Sequence, residues 1–333
     1  MIARAARVLG VIVVLLAAAW GSLALYFDGP GPRALAIALA VLYGGGTLAS
    51  LIWIRPFRRG MLIAAAAFAV VFLWWNAIPP SAQRDWARDV ARVPTTERRG
   101  DLLIVHNVRN FDYRSETDFT VRYEDRTYDL SRLVGLDLFL VYWGSPAIAH
   151  TIMSWQFSDG PPLAISIETR KQKGQDYSAI RGFFKQYELI YVAADERDVV
   201  RLRTNYRGEQ VYLYHLAVSP AAARALLLDY AATMDQLARQ PAFYNALTHN
   251  CTTTIRWHAK NIGPVQSLDW RLLLNGYADE LEYEKGLLDT RLPFRELRAR
   301  SLVNERANAA DQDPAFSRRI REGLPEPPPV RAR

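Results

Sequence analysis

Hydrophobic positions are spread unevenly along this chain. Residues 8–27, 34–54 and 60–83 contain no charged side chain and are dominated by Ala, Leu, Ile, Val and aromatic residues. A helix needs roughly 20 apolar residues to cross the hydrocarbon core, so each window is long enough to span a bilayer. One such window could be the buried helix of a soluble protein. Three in succession, separated by short charged or Pro/Gly breaks, predict a membrane anchor over residues 1–80. Arg4 and Arg7 precede the first window, and Arg55, Arg58 and Arg59 fill the second break, while Asp28 and Arg33 offset each other in the first. Positive loops stay cytoplasmic, which predicts a cytoplasmic N-terminus and an extracytoplasmic remainder. Ala17, Ala18 and Ala19 also resemble a signal-peptide cleavage site, but cleavage there would leave two spans that still return the chain outward. Trp53, Trp74 and Trp75 lie near span ends, as interfacial aromatics do.

Past the anchor the periodicity changes. In residues 81–98, Trp86, Val90 and Val93 recur at helical spacing with Arg84, Arg88 and Arg92 on another side, predicting a juxtamembrane helix and linker. An ordinary surface helix fits equally. Residues 99–265 then form the main domain. Its first part reads as short strands at 102–105, 119–123, 136–143, 149–157, 163–169, 188–193 and 211–216, with a possible helix at 178–187. Ser158, Asp159, Gly160, Pro161 and Pro162 make a hairpin turn between the fourth and fifth runs. Ser219 and Pro220 open a helix as N-cap and first-turn proline, with Leu226, Leu227, Tyr230, Met234 and Leu237 on its apolar face. A second helix is expected over 251–258, a helical extension over 266–322 and a disordered Pro/Arg-rich tail over 323–333. The fold class is α+β: three transmembrane helices, then an extracytoplasmic antiparallel sheet with helices.

Composition narrows the function. Lys and Arg total 41 against 34 acidic residues, a net charge of +7. No nucleic-acid-binding motif accompanies that balance, so headgroups of an anionic membrane are the better partner for it. No metal or other cofactor is expected, because five histidines and one cysteine offer no close ligand spacing. Gly44, Gly45 and Gly46 lie inside the second window and suit helix packing, not nucleotide binding.

Cys251 is the only cysteine. Outside the cytoplasm it has no partner for an internal disulfide, so it is either an inert core residue or a reactive thiol. Asn250, Cys251, Thr252 and Thr253 fall where a loop enters the expected helix. A helix N-terminus favours the thiolate and presents N–H groups to an oxyanion, with Asn250 and Thr252 as helpers. A base is then needed. His106 and His215 read as structural strand residues, His249 is too close to Cys251 and lines the entrance, and His258 lies about two helical turns away. His150 remains, on a strand well upstream. Glu168, on the next strand, shares a face with His150 only if paired residue numbers sum to an even value; a one-residue slip separates them. The alternative for Glu168 is a strand-end carboxylate paired with Arg170.

Several strings in order carry a resemblance. They are Val108 to Tyr113, Ala149-His150-Thr151, Ser166 to Arg170, Tyr187 to Val192, Asp195 to Asp198, Phe243-Tyr244-Asn245 and Asn250-Cys251-Thr252-Thr253. Over about residues 95 to 265 they resemble the Lnb N-terminal periplasmic domain family. The resemblance implies a circularly permuted papain-like fold on the bacterial inner membrane, with the domain in the periplasm. It also implies lipoprotein N-acyl transfer through Cys251 as nucleophile, His150 as base and Glu168 as third member. Substrate contacts are expected from His249, Tyr244 and Arg170, although Arg109, Arg170, Arg197 and Arg203 fit structural ion pairs better. Lecithin:retinol acyltransferase-like proteins share the Asn-Cys helix start with an upstream histidine, a likeness of layout only. The expected substrate is a lipoprotein or phospholipid ester. The rivals are a thiol hydrolase of cell-wall peptides or amides and a non-enzymatic anchored scaffold. Oligomeric state is not legible.

Overall fold

The computed structural model describes residues 2–246, 248, 253–255, 257–258, 269–272, 274–325 and 330. They divide into two compact units. The first comprises Met1–Ser81, Asp176–Glu188 and Phe243–Asn245.

In this unit the three charge-free windows are helices α1 (Ile2–Asp28), α2 (Arg33–Trp53) and α3 (Phe57–Ala77). Each is long and apolar enough to cross a membrane. Small residues let them approach closely, as in membrane bundles where lipid offers no hydrophobic drive to association. A Cβ on Gly60 would sit 2.2 Å from the Ser50 carbonyl oxygen, and one on Gly21 would meet the Tyr43 ring at 2.6 Å. Ala24, Ala36, Ala40 and Ala64 are buried within the three helices as well. At one end, the Trp75 indole N–H donates to Asp28 at 2.7 Å.

The second unit comprises Ala82–Gln175, Leu189–Ala242 and Ala246–Arg333. Its strands are β1 (Thr95–Arg99), β2 (Leu102–Arg109), β3 (Asp112–Tyr113), β4 (Phe119–Thr120), β5 (Tyr123–Asp129), β6 (Leu133–Tyr142), β7 (Ala149–Phe157), β8 (Leu163–Arg170), β9 (Glu188–Ala194) and β10 (Gln210–His215). The main sheet runs β1-β2-β9-β8-β7-β6-β10, with β5 also paired to β2. Where Arg109 meets Ala194, β2 and β9 are parallel, so the sheet is mixed and not purely antiparallel. The single strand expected at 119–123 is split, because Phe119–Thr120 pairs with Asp112–Tyr113 in a separate ribbon.

Both faces of the sheet are covered. On one, Phe139, Ile152, Ala164, Ile190 and Val192 pack with Val199 and Val200 of α4 (Glu196–Arg201). A five-residue π-helical turn, Leu202–Tyr206, continues α4. On the other face lies α5 (Pro220–Arg239), capped by the Ser219 hydroxyl accepting from the Ala222 N–H. Its Tyr230 meets Trp155 at 5.1 Å between ring centroids, and the Trp155 indole donates to the Ala223 carbonyl.

Three expectations are corrected. Residues 81–98 do not form a helix: residues 85–87 lie along the 171–173 segment, with Ala87 donating to Lys171 and Lys173 to Asp85, a 3-10 turn follows at Arg88–Val90, and from Thr95 the chain is strand β1. That pairing satisfies the backbone that an isolated helix would have had to satisfy alone. Residues 178–187 contain only the 3-10 turn Arg181–Phe183. The C-terminal stretch, with helices α6 (Ala278–Glu284), α7 (Phe294–Ser301), α8 (Asn304–Ala309) and α9 (Phe316–Arg319), is no appendage. Val303, Ala307, Phe316 and Ile320 belong to the α4-side core. Of the tail, residues 326–329 and 331–333 lie outside the described residues, and Leu324 packs on that core.

Arg321 locks this arrangement. It bonds Asp137 of β6 at 2.7 Å and Glu196 of α4 at 2.6 Å, and Glu196 also accepts from Ser154 of β7 at 2.6 Å. Both carboxylates are almost fully buried. Burial alone would raise the Asp137 pKa, but Arg321 and His215 outweigh it and the carboxyl titrates below its ordinary range. Removing the cation would leave two buried anions together. Arg321→Met is expected to destabilise the domain by about 3–5 kcal/mol, read as a lower Tm in detergent, whereas the exposed Arg318→Met should change little. Equal, small shifts for both would contradict this role.

Candidate active site

The site begins with the β7–β8 hairpin. Ile152 pairs with Ser166, Met153 with Ile165, Ser154 with Ala164 and Trp155 with Leu163. Continuing that register sets His150 opposite Glu168, on the face covered by α4. The His150 Nε2 lies 2.6 Å from the Ser166 hydroxyl and 3.3 Å from Glu168 Oε1. Ser166 donates to Glu168 Oε1 at 2.6 Å, and Arg203 Nη2 reaches the same oxygen at 2.6 Å. Glu168 is therefore paired with Arg203, not with Arg170.

Arg203 comes from the π-helical turn after α4 and is 5% exposed. Its Nη1 donates to the Val199 carbonyl at 2.8 Å, which aims the side chain at the sheet. Burial would raise the Glu168 pKa, yet the charges of His150 and Arg203, with the bonds from His150 and Ser166, hold it well below the usual carboxylate range. The carboxylate can then only accept. A hydroxyl has one proton, and Ser166 gives it to Glu168, so the Ser166 oxygen accepts from His150. In the neutral ring this puts the proton on Nε2 and makes Nδ1 the basic nitrogen, an assignment inferred from the hydrogen-bond pattern.

The backbone just before His150 is clamped from the C-terminal stretch. Asn275 accepts from the Ala149 N–H at 2.9 Å and donates to the Ala149 carbonyl, and the Gly276 N–H donates to Ala147 at 2.9 Å. A Cβ on Gly276 would lie 2.1 Å from the Pro146 carbonyl oxygen, so only glycine permits this approach. A cavity of about 480 Å³, lined among others by Tyr142, Trp143, Ser145, Arg207, Glu209 and Arg298, opens beside the same loop.

The other expected site residues are placed as follows. Cys251, Asn250, Thr252 and His249 lie outside the described residues; in the expected helix, residues 253–255 and 257–258 are helical. Tyr244, in the first unit, is buried, and its N–H donates to the Tyr187 carbonyl. Arg170 is a correction. Instead of facing a substrate, it is buried, donates to the carbonyls of Val90 and Ala91, and lies over the Trp86 ring. Arg109 likewise forms a buried pair with Asp198 at 2.8 Å.

Among the other histidines, His106 bonds Asp125 and His215 bonds Asp137. His258 is fully buried on the α5 face, between Tyr191 and Asp229, each at 2.6 Å. Burial pulls its pKa down despite Asp229. His258 and His150 thus serve opposite faces of the sheet. Sequence reasoning left Ser166 without a role, kept Arg203 only among general ion-pair candidates and passed over Asn275. The alternation that puts Ser166 between His150 and Glu168 was a usable signal; nothing in the sequence marks a π-turn. No cluster of three metal-ligating side chains occurs among the described residues.

The depressed pKa of Glu168 has a sign that can be tested. Its ionised form stabilises the fold fully above the unfolded carboxylate value of about 4.3, and that contribution is lost as pH falls through the lower folded value. Glu168→Gln should lower stability by roughly 1.5–3 kcal/mol near neutral pH, and the gap should narrow on acidification. Thermal unfolding across pH checks this; a gap that stays constant or widens toward acid would contradict it.

Residues 119–276 match the Lnb N-terminal periplasmic domain family, a stretch that includes His150, Ser166, Glu168, Arg203, Cys251 and Asn275. No curated protein matches the chain, and no solved structure matches it. Three candidate spans and a periplasmic-domain family together fit a protein of the bacterial inner membrane. The strings quoted above fall largely inside the matched residues, so residues 119–276 are similar to the Lnb N-terminal periplasmic domain family, the family that the sequence resembles.

Proposed function

We propose that the chain is a thiol acyltransferase held at the outer face of the inner membrane, its N-terminus cytoplasmic, moving an acyl chain from a lipid or lipoprotein ester to an amine. The observation that carries this reading is the chain of contacts from Arg203 through Glu168 and Ser166 to His150. An imidazole with an anionic support on one nitrogen and a basic second nitrogen is what a cysteine nucleophile needs.

In the proposed reaction, His150 takes the Cys251 thiol proton and the thiolate attacks the ester carbonyl carbon. The tetrahedral oxyanion is met by the Cys251 backbone N–H and the Asn250 side chain. Collapse breaks the ester C–O bond, and the imidazolium gives its proton to the departing alcohol oxygen. An amine then attacks the thioester, loses a proton to His150 and releases the thiol as the amide forms. Glu168 stays ionised throughout and offsets the imidazolium charge, and Arg203 keeps it so. A thioester is reactive enough to acylate an amine, which is why a thiol serves better here than a hydroxyl. A lipoprotein N-terminus is the acceptor best suited to a domain tethered to the membrane. Water in place of the amine would make the same machinery a hydrolase.

Intact-protein mass spectrometry after incubation with a diacylated lipopeptide tests the reading. The parent protein should gain one acyl chain, labile to hydroxylamine; His150→Ala should lose the adduct, and Cys251→Ser should retain at most a hydroxylamine-resistant ester. No adduct and an unchanged lipopeptide would overturn acyl transfer from this donor.

A further inference from the structure

The connection between β8 and β9 contributes residues Asp176–Glu188 to the same compact unit as the three spans. Its attachment is specific. The Lys185 backbone N–H donates to Asp28 at 3.1 Å, and its ammonium donates to the carbonyls of Asn76 and Ile78 at 3.1 and 2.8 Å. Gln186 donates to the Phe27 carbonyl at 2.9 Å and to Asp28 at 2.6 Å. The Phe184 ring lies 5.0 Å from that of Phe27. These acceptors are the C-terminal ends of α1 and α3, where the last carbonyls of a helix lack internal partners and a cation is favoured. The connection therefore sits at the depth where two membrane spans end.

Just before this anchor the same segment exposes large side chains. Tyr177 is 47% exposed, Ile180 59% and Phe183 39%, and the half-buried Arg181 lies between them. Two apolar side chains, one amphipathic aromatic and one cation are the composition of an interfacial contact, not of a surface facing bulk water. A membrane crossed by the three helices of their own unit would supply the cover they lack. We propose that residues 177–183 form a second, non-spanning membrane contact, in which Tyr177, Ile180 and Phe183 enter the headgroup–acyl boundary of the leaflet where α1 and α3 end. Arg181 meets anionic headgroups there. This contact stands whether or not the domain transfers acyl chains.

The single cysteine makes the test clean. In a Cys251→Ser background, Ile180→Cys, Phe183→Cys and Asp159→Cys each carry one nitroxide label in full-length protein. The proteins are reconstituted in phosphatidylethanolamine–phosphatidylglycerol nanodiscs. Asp159, 55% exposed in the β7–β8 turn, is the aqueous control. Labels at 180 and 183 should be relaxed more by oxygen than by a water-soluble nickel chelate, the reverse of the label at 159. Nickel accessibility at 180 and 183 equal to that at 159 would overturn the proposal. So would protection from both reagents, which would mean a protein cover such as a second copy of the chain.

Discussion

Pairing two antiparallel strands decides which side chains share a face, and a slip of one residue reverses that assignment along the whole strand. With Ile152 opposite Ser166, the side chains of His150, Ser166 and Glu168 all project toward α4. The π-turn Leu202–Tyr206 delivers a buried guanidinium to the same place. The carboxylate could not stay ionised there alone, since burial works against its charge. Arg203 on one side and His150 on the other reverse the balance. The state of Glu168 and the orientation of His150 thus follow from one choice of register.

The rest of the domain keeps that register in place. β7 cannot slide without breaking the Ser154–Glu196 bond, which sits within the buried Arg321, Asp137 and Glu196 network. On the opposite face Trp155 is tied to α5, and Tyr191, Tyr230 and His258 extend the contact. Ahead of His150, Asn275 and Gly276 hold the incoming loop by its backbone. Two of these three restraints come from the C-terminal stretch. That stretch therefore belongs to the scaffold of the candidate site, although its sequence shows only weak helices.

Much of this was legible beforehand, for identifiable reasons. The spans stand out because a bilayer demands long uncharged runs, and α5 because Ser219 and Pro220 mark its start. The β7–β8 hairpin follows from its Asp-Gly-Pro-Pro turn. The register was open, since both parities keep apolar residues in a strand buried on both faces. Arg84, Arg88 and Arg92 suggested a helix by spacing alone, but the backbone at 85–87 found partners at 171–173. Arg203 was one arginine among many, because a π-turn leaves no compositional mark. Asn275 and Gly276 read as a turn; their close approach to residues 146–149 is a tertiary fact.

The claim at the centre is that His150, supported through Ser166 by Glu168, activates the sole thiol. The most direct measurement is the alkylation rate of Cys251 by iodoacetamide as a function of pH, in the parent protein, His150→Ala and Glu168→Gln. The parent should react well below the ordinary thiol value of about 8.5. His150→Ala should lose that acidic limb and follow an ordinary thiol, with Glu168→Gln between the two. A parent profile that already follows an ordinary thiol, unchanged by either substitution, would contradict the claim.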